Sequence, residues 1–158
     1  HEPRTDCVYV TAIGNCAQKM RAVDLLGTRV QWVNIVHTSA YVAPTARLGL
    51  GIVLAPFTYV GLDCQLGDHV TLNAYASAGH DSRVGACSIL SPYAAITGCA
   101  VLEDEVFLGM HASVIPKIRV GRRSNVAAGS IVTRDVPAGS LVVGNPAKGR
   151  VMYRVEDD

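Results

Sequence analysis

From Val42 to Val132 an aliphatic residue returns at every sixth position, without one insertion. Of the sixteen positions in that column, fifteen are Val, Leu or Ile and the sixteenth is Ala78. The fifth position of each unit is small, as in Ala46, Cys64, Ala76, Ser82, Ala94, Ala112 and Ser130, or it is β-branched, as in Ile52, Val70 and Val106. Neither a charge nor an aromatic ring enters it. The second position is Gly in seven of the sixteen units: Gly49, Gly61, Gly67, Gly79, Gly85, Gly109 and Gly121. Charges collect instead at the third and fourth positions, among them Asp63, Asp68, Asp81, Asp104, Glu105, Lys117, Arg122 and Arg123.

A period of six matches neither of the helical periods, roughly 3.6 and 3.5 residues. It is the period of a hexapeptide β-helix, in which each unit supplies one short strand and one corner. Three units close a triangular coil, the aliphatic residue fills the prism, the small residue fits the turn, and Gly relieves crowding beside it. Sixteen units make just over five coils over residues 41–136, stacked about 4.8 Å apart by parallel pairing. The expected fold is mainly β, a left-handed parallel β-helix. The hand belongs to the repeat class and runs against the usual right-handed crossover.

The first 40 residues carry a different pattern. Cys7–Ile13 reads as a strand ending at Gly14-Asn15, and Cys16–Leu26 as a helix with Met20, Val23 and Leu26 on one face and Gly27 as its stop. Residues 30–36 read as a second strand, so that residues 1–40 resemble the C-terminal part of a small α/β module. Gly14-Asn15 at a helix start could meet a phosphate, but without GxGxxG an ordinary βα turn accounts for it. After the repeat, residues 137–158 form a C-terminal extension in which Val136-Pro137-Ala138-Gly139 breaks the register and Glu156-Asp157-Asp158 reads as a fraying end.

Composition narrows the partners. Apolar residues make up 49% of the chain and aromatics only 6%, so the core is thin and aliphatic. A formal net charge of +1 with no basic run disfavours nucleic acid. No apolar stretch reaches the roughly 18 residues of a membrane span. His1-Glu2-Pro3-Arg4 lacks the features of a signal peptide, and the missing initiator Met fits a fragment or a processed form. Cys7, Cys16, Cys64, Cys87 and Cys99 share no metal-ligand spacing, which fits reduced, buried thiols in the cytoplasm.

The unit run, with Val126-Ala127-Ala128-Gly129-Ser130-Ile131-Val132-Thr133-Arg134-Asp135-Val136-Pro137 and Gly144-Asn145-Pro146-Ala147-Lys148, resembles the hexapeptide-repeat acyltransferases. Ala12-Ile13-Gly14-Asn15, His37-Thr38-Ser39-Ala40, Asn73 and His80-Asp81 narrow the resemblance to the branch of sialic acid O-acetyltransferases and nucleotide-linked 4-amino-sugar N-acetyltransferases. That resemblance implies an acetyl-CoA-dependent enzyme and a sugar acceptor, with His80 as general base and Asp81 supporting it. It implies that the Gly98 N–H holds the acyl oxygen and that Met110 and Ala128 contact coenzyme A; Lys148 and Arg150 could meet its phosphates, though a basic turn explains them equally well. The repeat agrees on one point by itself: Gly98 follows His80 by eighteen residues, one full coil.

Asn73 lies in the unit before His80, hence at another corner, about 15 Å away by strand rise. If both serve one site, they come from neighbouring chains, as in a homotrimer. Ala78, Ser82 and the lack of a Gly-rich strand–turn–helix depart from the family pattern, and the last leaves acceptor recognition open. Two other readings are a non-catalytic scaffold and a zinc carbonic anhydrase of the same fold. The second needs two His five apart, whereas His69, His80 and His111 are spaced differently; His69 and His111 read as solvated corner residues, Cys87 and Cys99 as core or turn thiols, and no metal is expected.

Overall fold

The computed structural model describes residues 2–4, 6–153 and 155; the acidic end Glu156-Asp157-Asp158 lies outside them. Two-residue strands recur every six residues and sort into three parallel sheets, the faces of a triangular prism. The first face begins with Ile35–Val36 and Val53–Leu54, the second with Tyr41–Val42 and Tyr59–Val60, the third with Arg47–Leu48 and Gln65–Leu66. Each strand pairs in parallel with the one eighteen residues on, as Ser77↔Ala95 and Ala78↔Ile96. The coiling is that of the left-handed β-helix.

The coil starts one unit ahead of the register counted from Val42, because Ile35–Val36 already pairs with Val53–Leu54. That gives about six turns instead of five. The strand expected over 30–36 is therefore split: Gln31–Trp32 pairs with Val8–Tyr9, while Ile35–Val36 belongs to the prism. At the other end the chain makes one more rung, Ser140–Val143 against Asn125–Val126, and folds back through the antiparallel strand Lys148–Val151.

Packing follows the sequence column by column. Leu72, Leu90, Leu108, Val114, Val120 and Val126 are fully buried, as are the fifth-position residues Ile52, Cys64, Val70, Ala76, Ala94 and Val106. From Gly51 to Gly129 the fourth-position residue of each unit takes a left-handed conformation, and twelve of these, from Phe57 to Arg123, are not glycine and have φ between 54° and 67°. Each costs roughly 1 kcal/mol. The corner is held because that residue's N–H bonds the coil below, as Asp81 to the Leu62 carbonyl at 2.9 Å and Cys99 to the His80 carbonyl at 2.9 Å. The second-position glycines serve another purpose. A Cβ on Gly61 would lie 2.8 Å from the His80 nitrogen, and one on Gly79 2.9 Å from the Gly98 nitrogen. It is the coil spacing that excludes a side chain there.

The helix Cys16–Leu26 (α1) lies against the first face. Asn15 caps it, its side-chain oxygen accepting from the Gln18 N–H at 2.9 Å, and Gly27 ends it at φ 50°. Its buried residues are Cys16 and Lys19, the latter fully so. The Lys19 ammonium donates to the His69 carbonyl at 3.0 Å and to Thr71 Oγ1 at 2.7 Å. Burial lowers its pKa and pushes the thiols of Cys16 and Cys87 up to about 11 and about 12. Among the described residues no helix is long and apolar enough to cross a membrane.

Candidate active site

His80 and Asp81 stand at the corner between the second and third faces, after strand Ser77–Ala78. Asp81 is the left-handed residue of that corner, at φ 57°, which turns its carboxylate back toward the preceding side chain. The two side chains meet at 2.7 Å, Nδ1 to Oδ2, and both are more than half exposed. A carboxylate can only accept, so the neutral ring held this way carries its proton on Nδ1 and keeps a lone pair on Nε2. The ring lies over Gly98: a Cβ built there would sit 2.4 Å from Nε2. Gly98 is needed because the imidazole occupies the place of its side chain. Its N–H has no hydrogen-bond partner among the described residues. An outward base, its orienting acid and a backbone donor one rung away form an arrangement suited to proton abstraction beside a developing oxyanion.

The remaining sequence-predicted residues are elsewhere. Asn73, Met110 and Ala128 occupy the corner between the first and second faces; Met110 and Ala128 are one coil apart, and Asn73 stands one position earlier in its unit. The Asn73 amide donates to the Leu90 carbonyl at 3.1 Å. Gly129 N–H bonds the Met110 carbonyl at 2.8 Å, and half-exposed Met110 points outward. Lys148 sits in the antiparallel return strand, at a groove shared with Arg134 and Asp135. One chain thus gathers His80, Asp81 and Gly98 but not Asn73, Met110, Ala128 or Lys148.

Two features escaped the six-residue reading. Phe57, Tyr75, Tyr93 and His111 stack face to face up the Asn73 corner, with centroids 4.9, 4.8 and 4.7 Å apart. Their eighteen-residue spacing at the fourth position is the signal that could have revealed them. Asn73 also borders a cavity of about 240 Å³ with Thr11, Ala12, Ile13, Gly14, Val53 and Ile89. The hydroxyl of Thr11 is buried there with no hydrogen-bond partner among the described residues. That cavity depends on a long-range approach of residues 11–14 to the first face.

The other histidines differ from expectation in one case. His69 is not a solvated corner residue: it is 5% exposed and meets Trp32 edge to face at 4.6 Å. Burial holds its pKa below the ordinary value. His111 is exposed, stacked on Tyr93. His69, His80 and His111 occupy three different corners, so the arrangement of a three-histidine anhydrase is not formed within a chain. All five cysteines are free, with Cys16, Cys64 and Cys87 buried as expected and Cys99 exposed.

No protein-family profile matches the chain. A perosamine N-acetyltransferase of Caulobacter crescentus, solved with CoA and GDP-perosamine, superposes with a TM-score of 0.86 at 33% identity, over 89% of this chain and 68% of that one. WeeI of Acinetobacter baumannii AYE gives 0.88 at 28% identity, over 94% and 73%. The acetyltransferase domain of PglB from Neisseria gonorrhoeae FA1090, solved with acetyl coenzyme A, gives 0.85 at 28%, over 89% and 69%. Among curated proteins, a 2,3,4,5-tetrahydropyridine-2,6-dicarboxylate N-acetyltransferase of Staphylococcus aureus is 52% identical over 48 residues, 30% of this chain and only 20% of that enzyme's length. With the coil, the exposed His–Asp pair and this shared length, the chain belongs to the hexapeptide-repeat acyltransferases, in the branch of the nucleotide-sugar acetyltransferases.

Proposed function

We propose that this protein transfers an acetyl group from acetyl-CoA to an amino or hydroxyl group of a sugar, a nucleotide-linked 4-amino sugar being the preferred acceptor, with His80 as general base. One observation carries the reading: an outward-facing imidazole, fixed by Asp81 at 2.7 Å, rests on the side-chain-free Gly98. Relatives solved with CoA and GDP-perosamine, or with acetyl coenzyme A, supply the substrate class.

The acceptor nitrogen or oxygen attacks the thioester carbonyl carbon while Nε2 takes its proton. The Gly98 N–H stabilises the oxyanion of the tetrahedral intermediate. Collapse expels the coenzyme thiolate, which recovers the proton from the imidazolium. Asp81 acts through His80, holding the tautomer and the orientation of the ring.

We also propose a homotrimer with the sites between chains. The outward residues of the second face are Tyr41, Tyr59, Ser77, Ala95, Ser113 and Ile131, without one charge. The middle of the first face is covered by α1, and the third carries Arg47, Arg83 and Arg119. An uncharged strip between the His80 corner and the Asn73 corner, with two stacked tyrosines at one end and small residues at its middle, suits packing against copies of itself. Such packing would bring one chain's His80 toward a neighbour's Asn73, Met110 and Ala128, with Lys148 near the coenzyme. Residues 1–40, with Val8–Tyr9 parallel to Gln31–Trp32 around α1, are read as the end of an α/β module bordering the acceptor. Free cysteines and the need for acetyl-CoA favour the cytoplasm.

The test is coenzyme A release from acetyl-CoA with a panel of nucleotide-linked 4-amino sugars. His80→Ala is expected to lower the rate by about 10²–10⁴-fold. Gly98→Ala, which displaces the ring, is expected to lower it by about 10²-fold. A rate indifferent to His80→Ala would remove His80 from the mechanism.

A further inference from the structure

Cys99 lies eighteen residues beyond Asp81, so it occupies the same corner one rung on, at φ 61°. It is the chain's one exposed cysteine. Its sulfur, an imidazole nitrogen of His80 and a carboxylate oxygen of Asp81 all lie within 4.8 Å of one another. Nitrogen, oxygen and sulfur donors on one side of a corner are a borderline-soft set, the kind that zinc and its neighbours take. With metal–ligand bonds of about 2.0–2.3 Å, tetrahedral ligands stand roughly 3.2–3.8 Å apart, about 1 Å closer than the 4.8 Å within which these donors lie. The charges balance too: a carboxylate and a thiolate neutralise a divalent cation.

We propose that His80, Asp81 and Cys99 form a binding site for a soft divalent cation such as zinc, and that filling it switches the enzyme off. The cation binds Nδ1, the Asp81 oxygen and the Cys99 sulfur, with water in the fourth position. The thiol proton is released, and the imidazole proton moves from Nδ1 to Nε2. A ring protonated at Nε2 accepts nothing from an acceptor amine. The binding rests on the three side chains alone; the loss of activity rests also on His80 as the base.

The experiment is a cadmium titration of the whole protein, followed by the ultraviolet thiolate-to-cadmium charge-transfer band. Wild type is expected to saturate at one ion per chain, Cys99→Ala to show no band, and His80→Ala to bind at least about tenfold more weakly. No band in wild type, a band that survives Cys99→Ala, or unchanged affinity in His80→Ala overturns the site. In a parallel assay zinc is expected to inhibit acetyl transfer reversibly, with EDTA restoring the rate. Cys99→Ala, scaled to its own metal-free rate, is expected to need at least about tenfold more zinc. Cadmium binding without inhibition overturns the switch; a protein that binds cadmium yet transfers no acetyl group keeps the site and loses the proposed activity instead.

Discussion

The second and third faces of the prism are interchangeable on the inside and unlike on the outside. Inward, both present buried aliphatics at the same step, Val60, Ala78, Ile96 and Val114 on one, Leu66, Val84, Leu102 and Val120 on the other. Outward, the second face shows Ser77, Ala95 and Ser113, and the third shows Gln65, Arg83 and Arg119. The inward column carries the fold and is indifferent to which face it serves. In the proposed trimer, the outward residues decide what each face meets, water or another copy of the chain.

The sharpest way to break that contrast is Ala95→Arg. A guanidinium on the uncharged strip is expected to convert the proposed trimer to monomers in sedimentation. Activity is then expected to fall by about 10²-fold or more, because both halves of a shared site lose their geometry. A monomer of undiminished activity would defeat the shared site. Mixing inactive His80→Ala chains with inactive Asn73→Ala chains sharpens the point, since recombined trimers are expected to regain activity at the sites where both residues are intact.

The inward half of the comparison is checked by denaturation. Ile96→Ala and Leu102→Ala are each expected to cost about 3 kcal/mol, and to agree within about 1 kcal/mol despite lying on different faces. His69 gives a pH test on the corner of the third face. Its folded pKa lies below the ordinary imidazole value because burial disfavours the cation. The unfolded chain therefore binds the extra proton first, and stability falls as pH drops below about 6.5. That fall is expected to be shallower in His69→Gln, as read by melting temperature across the acid limb. The smallest effect is reserved for Arg83→Ala, expected to change stability by less than about 0.5 kcal/mol and to leave the oligomer intact.

Much of the coil was legible because its period is rigid. Once Leu72, Leu90 and Leu108 are in register, the arithmetic that puts Gly98 over His80 follows, and the structure bears it out with the imidazole resting on the glycine. What escaped was whatever depends on contact outside the period. Lys19 sits on the packed face of α1, but nothing in its neighbours announces a buried ammonium bound to the His69 carbonyl. His69 looks like any polar corner residue until Trp32, from outside the repeat, closes over it. The start of the prism at Ile35 was missed because Val36 keeps the six-residue step while its surroundings read as an ordinary strand.

The left-handed corners have a consequence for change over time. Phe57, Asp63, Tyr75, Asp81, Cys99, His111 and Lys117 share one backbone conformation while differing in size, charge and chemistry. The scaffold thus behaves like a typesetter's frame, with a socket at each rung that accepts almost any character. A single substitution installs a new functional group at a known height, in steps of about 4.8 Å along the axis, and leaves the lines above and below unset. Catalytic novelty in such a molecule needs no refolding, only a different letter in the same slot.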